Sequence, residues 1–191
     1  SIHQPNYLPW LGYFHKISEC DIFVFLDNVR YSKGWVINRN KIKTPHGWTW
    51  LTVPLRSHNI LEKRMYDVEI SNDVNWGKKH FKSIKYSYER AVYYDKYKSF
   101  FKRLYTKKWD KLAKLNEEII HYIVKQLDIN KTFVNASDLN VQGLGIELII
   151  NICKELGADT YYSGIGAIDY QDENIFLKAG IELVYQNFQH P

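Results

Sequence analysis

The chain has 191 residues, 45% of them apolar and 25% charged, and a net charge of +5. That is enough to bury a real core as one ordinary domain, and no stretch approaches the length of a membrane span. No basic segment followed by an apolar run marks a leader peptide, and the two distant cysteines, Cys20 and Cys153, read as buried thiols of a reducing cytoplasm.

Ile2 closes a first short strand. The stretch after it, His3–Pro9, is polar, aromatic and broken by prolines, and Trp10 to Ser18 is long enough for a short helix. "DIFVFLD" (21–27) is a continuous apolar run bounded by aspartates, the pattern of a strand buried on both faces of a parallel sheet. Residues 1–27 thus read as a βαβ unit with the polar loop at its crossover. "WVINRN" (35–40) and "WTWLTVPL" (48–55) read as strands joined across "KTPHG" (43–47), a hairpin candidate. "MYDVEI" (65–70) is expected to be another strand.

The character then changes. Asn72 or Asp73 is placed to cap a helix through Trp76, Phe81 and Ile84. A second helix is expected over about 95–107, and a third carries an apolar stripe from Leu112 to Leu127. Between Lys78 and Lys114 thirteen Lys/Arg stand against three acids, with ten aromatics interleaved. A basic, aromatic segment is the footprint of an anionic partner, although a solvated helix face is the default for a charge run. The last third returns to alternation: a strand at 132–137, a helix at 145–157 stopped by Gly157, and a strand at 159–164. A helix at 170–180, capped by Asp169 and stopped by Gly180, and a strand at 181–188 follow. The expected fold is α/β: one domain over 1–191 with a Rossmann-like, mostly parallel sheet, a β-hairpin and a basic helical insertion at about 72–128.

Ligands of such sheets bind beyond the carboxyl ends of the strands. His3 follows the first strand and is a candidate general base, with Gln4, Asn6 and Tyr7 beside it in a loop that prolines hold rigid. Asp27 ends its own strand and could orient His3. Lys33, Arg39 and Lys41 offer positive charge, with the amides of Asn38 and Asn40 between them, which suits carboxylate or phosphate recognition. On a strand, Asn38 and Asn40 share one face and Arg39 takes the other. "VQGLG" (141–145) and "SGIGAID" (163–169) precede helices. Ser163, Gly164 and Gly166 could therefore present backbone N–H groups to an anion. No His, Cys, Asp or Glu spacing points to a metal.

"IHQPNYLPWLGYFHKI" (2–17), "DIFVFLDNVRYSKGWVINRNKIK" (21–43), "WLTVPL" (50–55) and "YYSGIGAIDY…AGIELVYQNFQHP" (161–191) together resemble the WbqC-like family over almost the whole chain. Members usually continue past the final His-Pro with a further ending, of which this sequence, stopping at His190-Pro191, contains nothing. The resemblance implies a bacterial cytoplasmic protein, membrane-peripheral if its basic segment meets lipid, encoded among O-antigen and other lipopolysaccharide or surface-polysaccharide genes. It implies a glycine transferase that acylates a nucleotide- or lipid-linked sugar, with aminoacyl-tRNA, or glycine and ATP, as the activated donor. With aminoacyl-tRNA, Lys78–Lys114 becomes an RNA-binding face; with a scaffold role it faces an anionic membrane. A looser resemblance is to HIGH-type nucleotidylyltransferases, but "WLGY" (10–13) has aromatics where that motif has histidines.

Overall fold

In the computed structural model, residues 1–33 and 36–190 are described. The described chain divides into two compact units. The first is Ser1–Pro5, Pro9–Val29 and Ile119–Pro191; the second is Asn6–Leu8 and Arg30–Glu118.

The first unit is a layered α/β fold. Strand β1 (Ile2–His3) pairs in parallel with β2 (Ile22–Phe25), which pairs in parallel with β5 (Thr132–Asn135). β6 (Thr160–Ser163) and β7 (Glu182–Tyr185) form a second parallel pair. Ser1, just before β1, donates its hydroxyl to the Tyr162 carbonyl of β6 at 2.7 Å. The two remain separate sheets, and that contact sets β6 beside β1, so the strands follow one another as β5-β2-β1-β6-β7, compatible with a Rossmann-like α/β fold. The starts of β1, β2 and β6 line one cavity with Ile2, Ile22 and Thr160. Their carboxyl ends, at His3, Phe25 and Ser163, therefore share the opposite edge.

Period-two alternation splits β2 between two cores. Phe23 and Phe25 pack with Tyr13, Phe14 and Ile17 of α1 (Leu11–Ser18) and with Ile120 and Val124 of α4 (Leu112–Gln126). Val24 packs on the other face with Leu148, Ile152 and Cys153 of α5 (Gly145–Glu155) and Phe176 of α6 (Glu173–Lys178). This is why "DIFVFLD" is apolar on both faces.

The second unit holds the hairpin of β3 (Arg39–Thr44) and β4 (Gly47–Thr52), with α2 (Trp76–Tyr88), α3 (Tyr94–Thr106) and the first turns of α4. Ile42 and Leu51 bury the inner face of the hairpin. Lys43 N–H donates to the Tyr88 hydroxyl at 3.1 Å, which fastens the hairpin to the end of α2.

Several local expectations shift. The strand expected at 35–40 starts only at Arg39, and Trp35 lies outside the described residues. Residues 65–70 are not a strand. Met65–Asp67 form a 3-10 turn around the fully buried Met65, and the backbone of Val68 and Ile70 bonds Leu112 and Asp110. The side chain of Asn75, rather than Asn72 or Asp73, caps α2 by accepting from Lys78 N–H. Asp172, rather than Asp169, caps α6, because a 3-10 turn at Ile165–Ala167 uses the preceding residues.

Candidate functional site

In the first unit the expected residues gather at the carboxyl edge of the sheet. His3 is half-buried, and its Nδ1 lies 2.9 Å from the Gln4 carbonyl. A carbonyl only accepts, so Nδ1 carries the proton and Nε2 holds the lone pair. The Tyr13 hydroxyl donates to the same carbonyl at 3.1 Å, and the Tyr13 ring meets the imidazole edge-on. Burial first, and the Lys16 ammonium second, push the His3 pKa down to about 3. His3 is therefore neutral at pH 7, a hydrogen-bond acceptor of fixed tautomer.

Asp27 does not orient it. The buried Asp27 carboxylate accepts from Asn135 Nδ2 (3.0 Å), Ser137 N–H (2.8 Å) and Ser137 Oγ (2.6 Å). It ties the end of β2 to the turn after β5, and the expected His3–Asp27 pair is not formed. Ser163 is also buried, donating its hydroxyl to Gln171 Oε1 at 2.8 Å. Gly164 and Gly166 lie at the 3-10 turn rather than at a helix start, and a Cβ on either would meet open space. Ordinary turn chemistry accounts for both.

Sequence reasoning missed three features of this edge. Lys16 is buried on the inner side of α1, where its ammonium donates to the Ile2 carbonyl at 3.3 Å, and burial brings its pKa down to about 7. Its signal was present: Lys16 stands three residues after Tyr13 and next to Ile17, on the helix's apolar stripe. Gln186 Nε2 donates to the Gly12 carbonyl (2.7 Å) and to His15 Nδ1 (3.0 Å), which leaves the His15 proton on Nε2. Finally, the half-exposed Trp10 meets Phe188 edge-on at 5.4 Å, and Phe188 lies 5.2 Å from the His15 ring. The Trp10 indole folds back over Gly12, where a Cβ would strike it. The start of α1 is thus covered by an indole rather than open to a phosphate.

In the second unit the expected residues are mostly engaged internally. Tyr7 is fully buried; its hydroxyl lies 2.8 Å from His80 Nδ1 and 2.5 Å from the Tyr105 hydroxyl. His80 also bonds the Thr52 backbone, and burial lowers its pKa to about 4. Burial raises both tyrosines above their ordinary range. Asn38 accepts from the Tyr31 hydroxyl (3.1 Å) and donates to the Val53 carbonyl (3.0 Å). Asn40 donates to the Leu8 carbonyl at 2.6 Å and accepts from Lys41 N–H at 2.7 Å. Leu8 has φ +47°, an uncommon conformation for leucine that this bond helps to hold. Arg39 takes the opposite face, as its alternation requires, and its guanidinium sits 4.6 Å over the Trp50 ring. Lys33 is exposed. Asn6 is 4% exposed, and its amide makes no hydrogen bond to the described residues. Among the described residues no group of three His, Cys, Asp or Glu side chains converges to hold a metal.

The model of the WbqC-like protein family matches residues 4–191. The chain belongs to the WbqC-like protein family. It is 29% identical over 189 residues to the uncharacterized protein Rv1507c of Mycobacterium tuberculosis strain H37Rv, covering 98% of this chain and 81% of that protein. No solved structure matches the chain. The WbqC-like match takes in Gln4, Asn6, Tyr7 and the whole hairpin, and begins one residue after His3. No described helix is long and apolar enough to cross a membrane.

Proposed function

We propose that this WbqC-like protein is an amino-acyl transferase that moves a glycyl group onto an amino or hydroxyl group of a nucleotide- or lipid-linked sugar of bacterial surface polysaccharide. The observation that carries the reading is His3. It stands at the carboxyl edge of a parallel sheet, with Nδ1 bound to the Gln4 carbonyl and Nε2 left as an acceptor. In the reaction a new bond forms between the acceptor nitrogen or oxygen and the acyl carbon, and the bond to the donor's leaving oxygen breaks. The acceptor's proton ends on that leaving group. Nε2 of His3 receives the acceptor's N–H or O–H as a hydrogen bond and aims its lone pair at the acyl carbon. The exposed ring of Trp10 offers a face on which a sugar can stack.

A second reading is binding of the same sugar nucleotide without turnover, as part of the assembly machinery. The low proton affinity of His3 and the structural engagement of Asp27 favour it. A nucleotidyl- or adenylate-forming reaction is less well supported, since the Trp10 indole covers the start of α1.

Purified protein incubated with candidate sugar nucleotides and either glycyl-tRNA or glycine plus ATP should yield a glycylated sugar detectable by mass. His3→Phe, which removes the acceptor nitrogen, should lower kcat by about 10² through lost positioning while leaving sugar-nucleotide affinity within a few-fold. Sugar binding with no acyl product from either donor sinks the transferase reading in favour of the binding one. In cells, loss of this protein should remove an acyl substituent from the surface polysaccharide.

A further inference from the structure

The outer face of the β3–β4 hairpin is absorbed by neither the carboxyl-edge site nor the internal network. The register pairs Arg39 with Thr52, Lys41 with Trp50 and Lys43 with Trp48. Because side chains alternate, these six residues share one face, while Ile42 and Leu51 bury the other. That face carries three cations, two indoles and no carboxylate. Trp48 is 59% exposed and Trp50 39%. Lys41 Nζ sits 3.7 Å over the Trp48 ring and 5.2 Å from that of Trp50, which Arg39 covers at 4.6 Å. The two indoles meet edge-to-face at 6.1 Å.

We infer that this face is a binding site for single-stranded nucleic acid. Exposed aromatic rings interleaved with cations meet the two needs of such a strand: a π-face for each base and positive charge for its phosphates. The hairpin is held in place from behind by the bonds of Asn40 to Leu8 and of Lys43 to Tyr88, so the rings are presented rather than loose. Charge complementarity extends beyond the hairpin. The second unit has 21 Lys/Arg against nine Asp/Glu, a net +12, whereas the first has five against twelve, a net −7, which together give the chain's +5. The polyanion is thus drawn to the unit that carries the indoles. A duplex hides its base faces and offers nothing to stack. A bilayer surface is met by an apolar face whose cations lie on the opposite side, whereas here the cations and the indoles are interleaved on one face. The inference stands whether or not the chain transfers an acyl group.

The test is fluorescence anisotropy with a short labelled single-stranded RNA. The controls are the same strand annealed to its complement, an abasic strand of equal length, and phosphatidylserine vesicles. Wild-type protein should bind the single strand best. Trp48→Ala with Trp50→Ala should weaken binding by about tenfold or more, while Trp48→Tyr with Trp50→Tyr should restore most of it. Lys41→Gln with Lys43→Gln should flatten the slope of log K against log salt by about 1.4, near 0.7 for each phosphate no longer neutralised. A thermal melt checks that the variants fold, which their exposure allows. Undetectable RNA binding, equal affinity for the abasic strand or the duplex, preference for vesicles, or an unaffected Trp48→Ala/Trp50→Ala protein would each overturn the assignment.

Discussion

Lys16 holds an ammonium against apolar surroundings with the Ile2 carbonyl as hydrogen-bond partner. Its pKa of about 7 lies below the ordinary 10.5, so between these values the unfolded chain binds the extra proton. Stability should therefore climb with pH from about 7 to 10.5, by at most about 1.4 kcal/mol per unit. Lys16→Met should abolish that climb in denaturant titrations and raise stability at pH 7. It should also raise the His3 pKa, read by NMR, because the Lys16 charge is one cause of its depression. His80 works at the acid end. Its folded pKa of about 4 lies below the ordinary 6.5, so protonation favours the unfolded chain and stability should fall as pH drops from 6.5 to 4. His80→Gln can still accept from Tyr7 and donate to Thr52, and should flatten that window. Asp27→Asn presents an N–H₂ to donors that need an acceptor. It should cost about 1.5–3 kcal/mol in chemical denaturation, with activity at low temperature retained if the carboxylate only ties β2 to the turn after β5.

Two glycines separate packing need from freedom at the level of elements. Gly77 in α2 lies against the Tyr105 carbonyl at the end of α3, and a Cβ there would strike backbone. Gly77→Ala should part the two helices and lower stability by about 1–3 kcal/mol. At Gly12 the obstacle is the exposed Trp10 indole, a side chain that can swing away. Gly12→Ala should therefore leave the melting temperature nearly unchanged, since alanine favours α1. The Trp10 ring should move off Phe188, seen as a shift of tryptophan emission. Helices were the legible elements. The expected spans 95–107 and 145–157 meet α3 at Tyr94–Thr106 and α5 at Gly145–Glu155, because an apolar stripe at helical spacing is local. The segment at 65–70 was not legible, since its backbone partners, Asp110 and Leu112, lie some forty residues on.

Across the whole molecule, charge is partitioned rather than averaged, with +12 on one unit and −7 on the other. A net +5 therefore understates the local field that a polyanion meets. Reversing two exposed charges of the basic unit, as in Lys102→Glu with Lys108→Glu, should bring elution from a cation exchanger much earlier. The same change of net charge made at Lys125 and Lys154 of the acidic unit should shift elution little. Equal shifts would mean that the resin senses net charge alone.

Composition and periodicity by themselves determined the α/β class, the strand–helix alternation after residue 131, the hairpin and the basic character of the middle third. Each follows from spacing that a short window of chain contains. Tertiary structure alone decided how the site residues are used. Tyr7, Asn38 and Asn40 look alike in sequence as polar loop or strand residues beside Asn6, yet these three are spent on internal bonds and Asn6 makes none to the described residues. Asp27 and His3 end neighbouring strands, but Asn135 and Ser137, over a hundred residues away, claim the carboxylate. Lys16 is charged in sequence and depressed in the fold, because burial sets proton affinity and burial is a property of what packs over a residue, not of its neighbours along the chain.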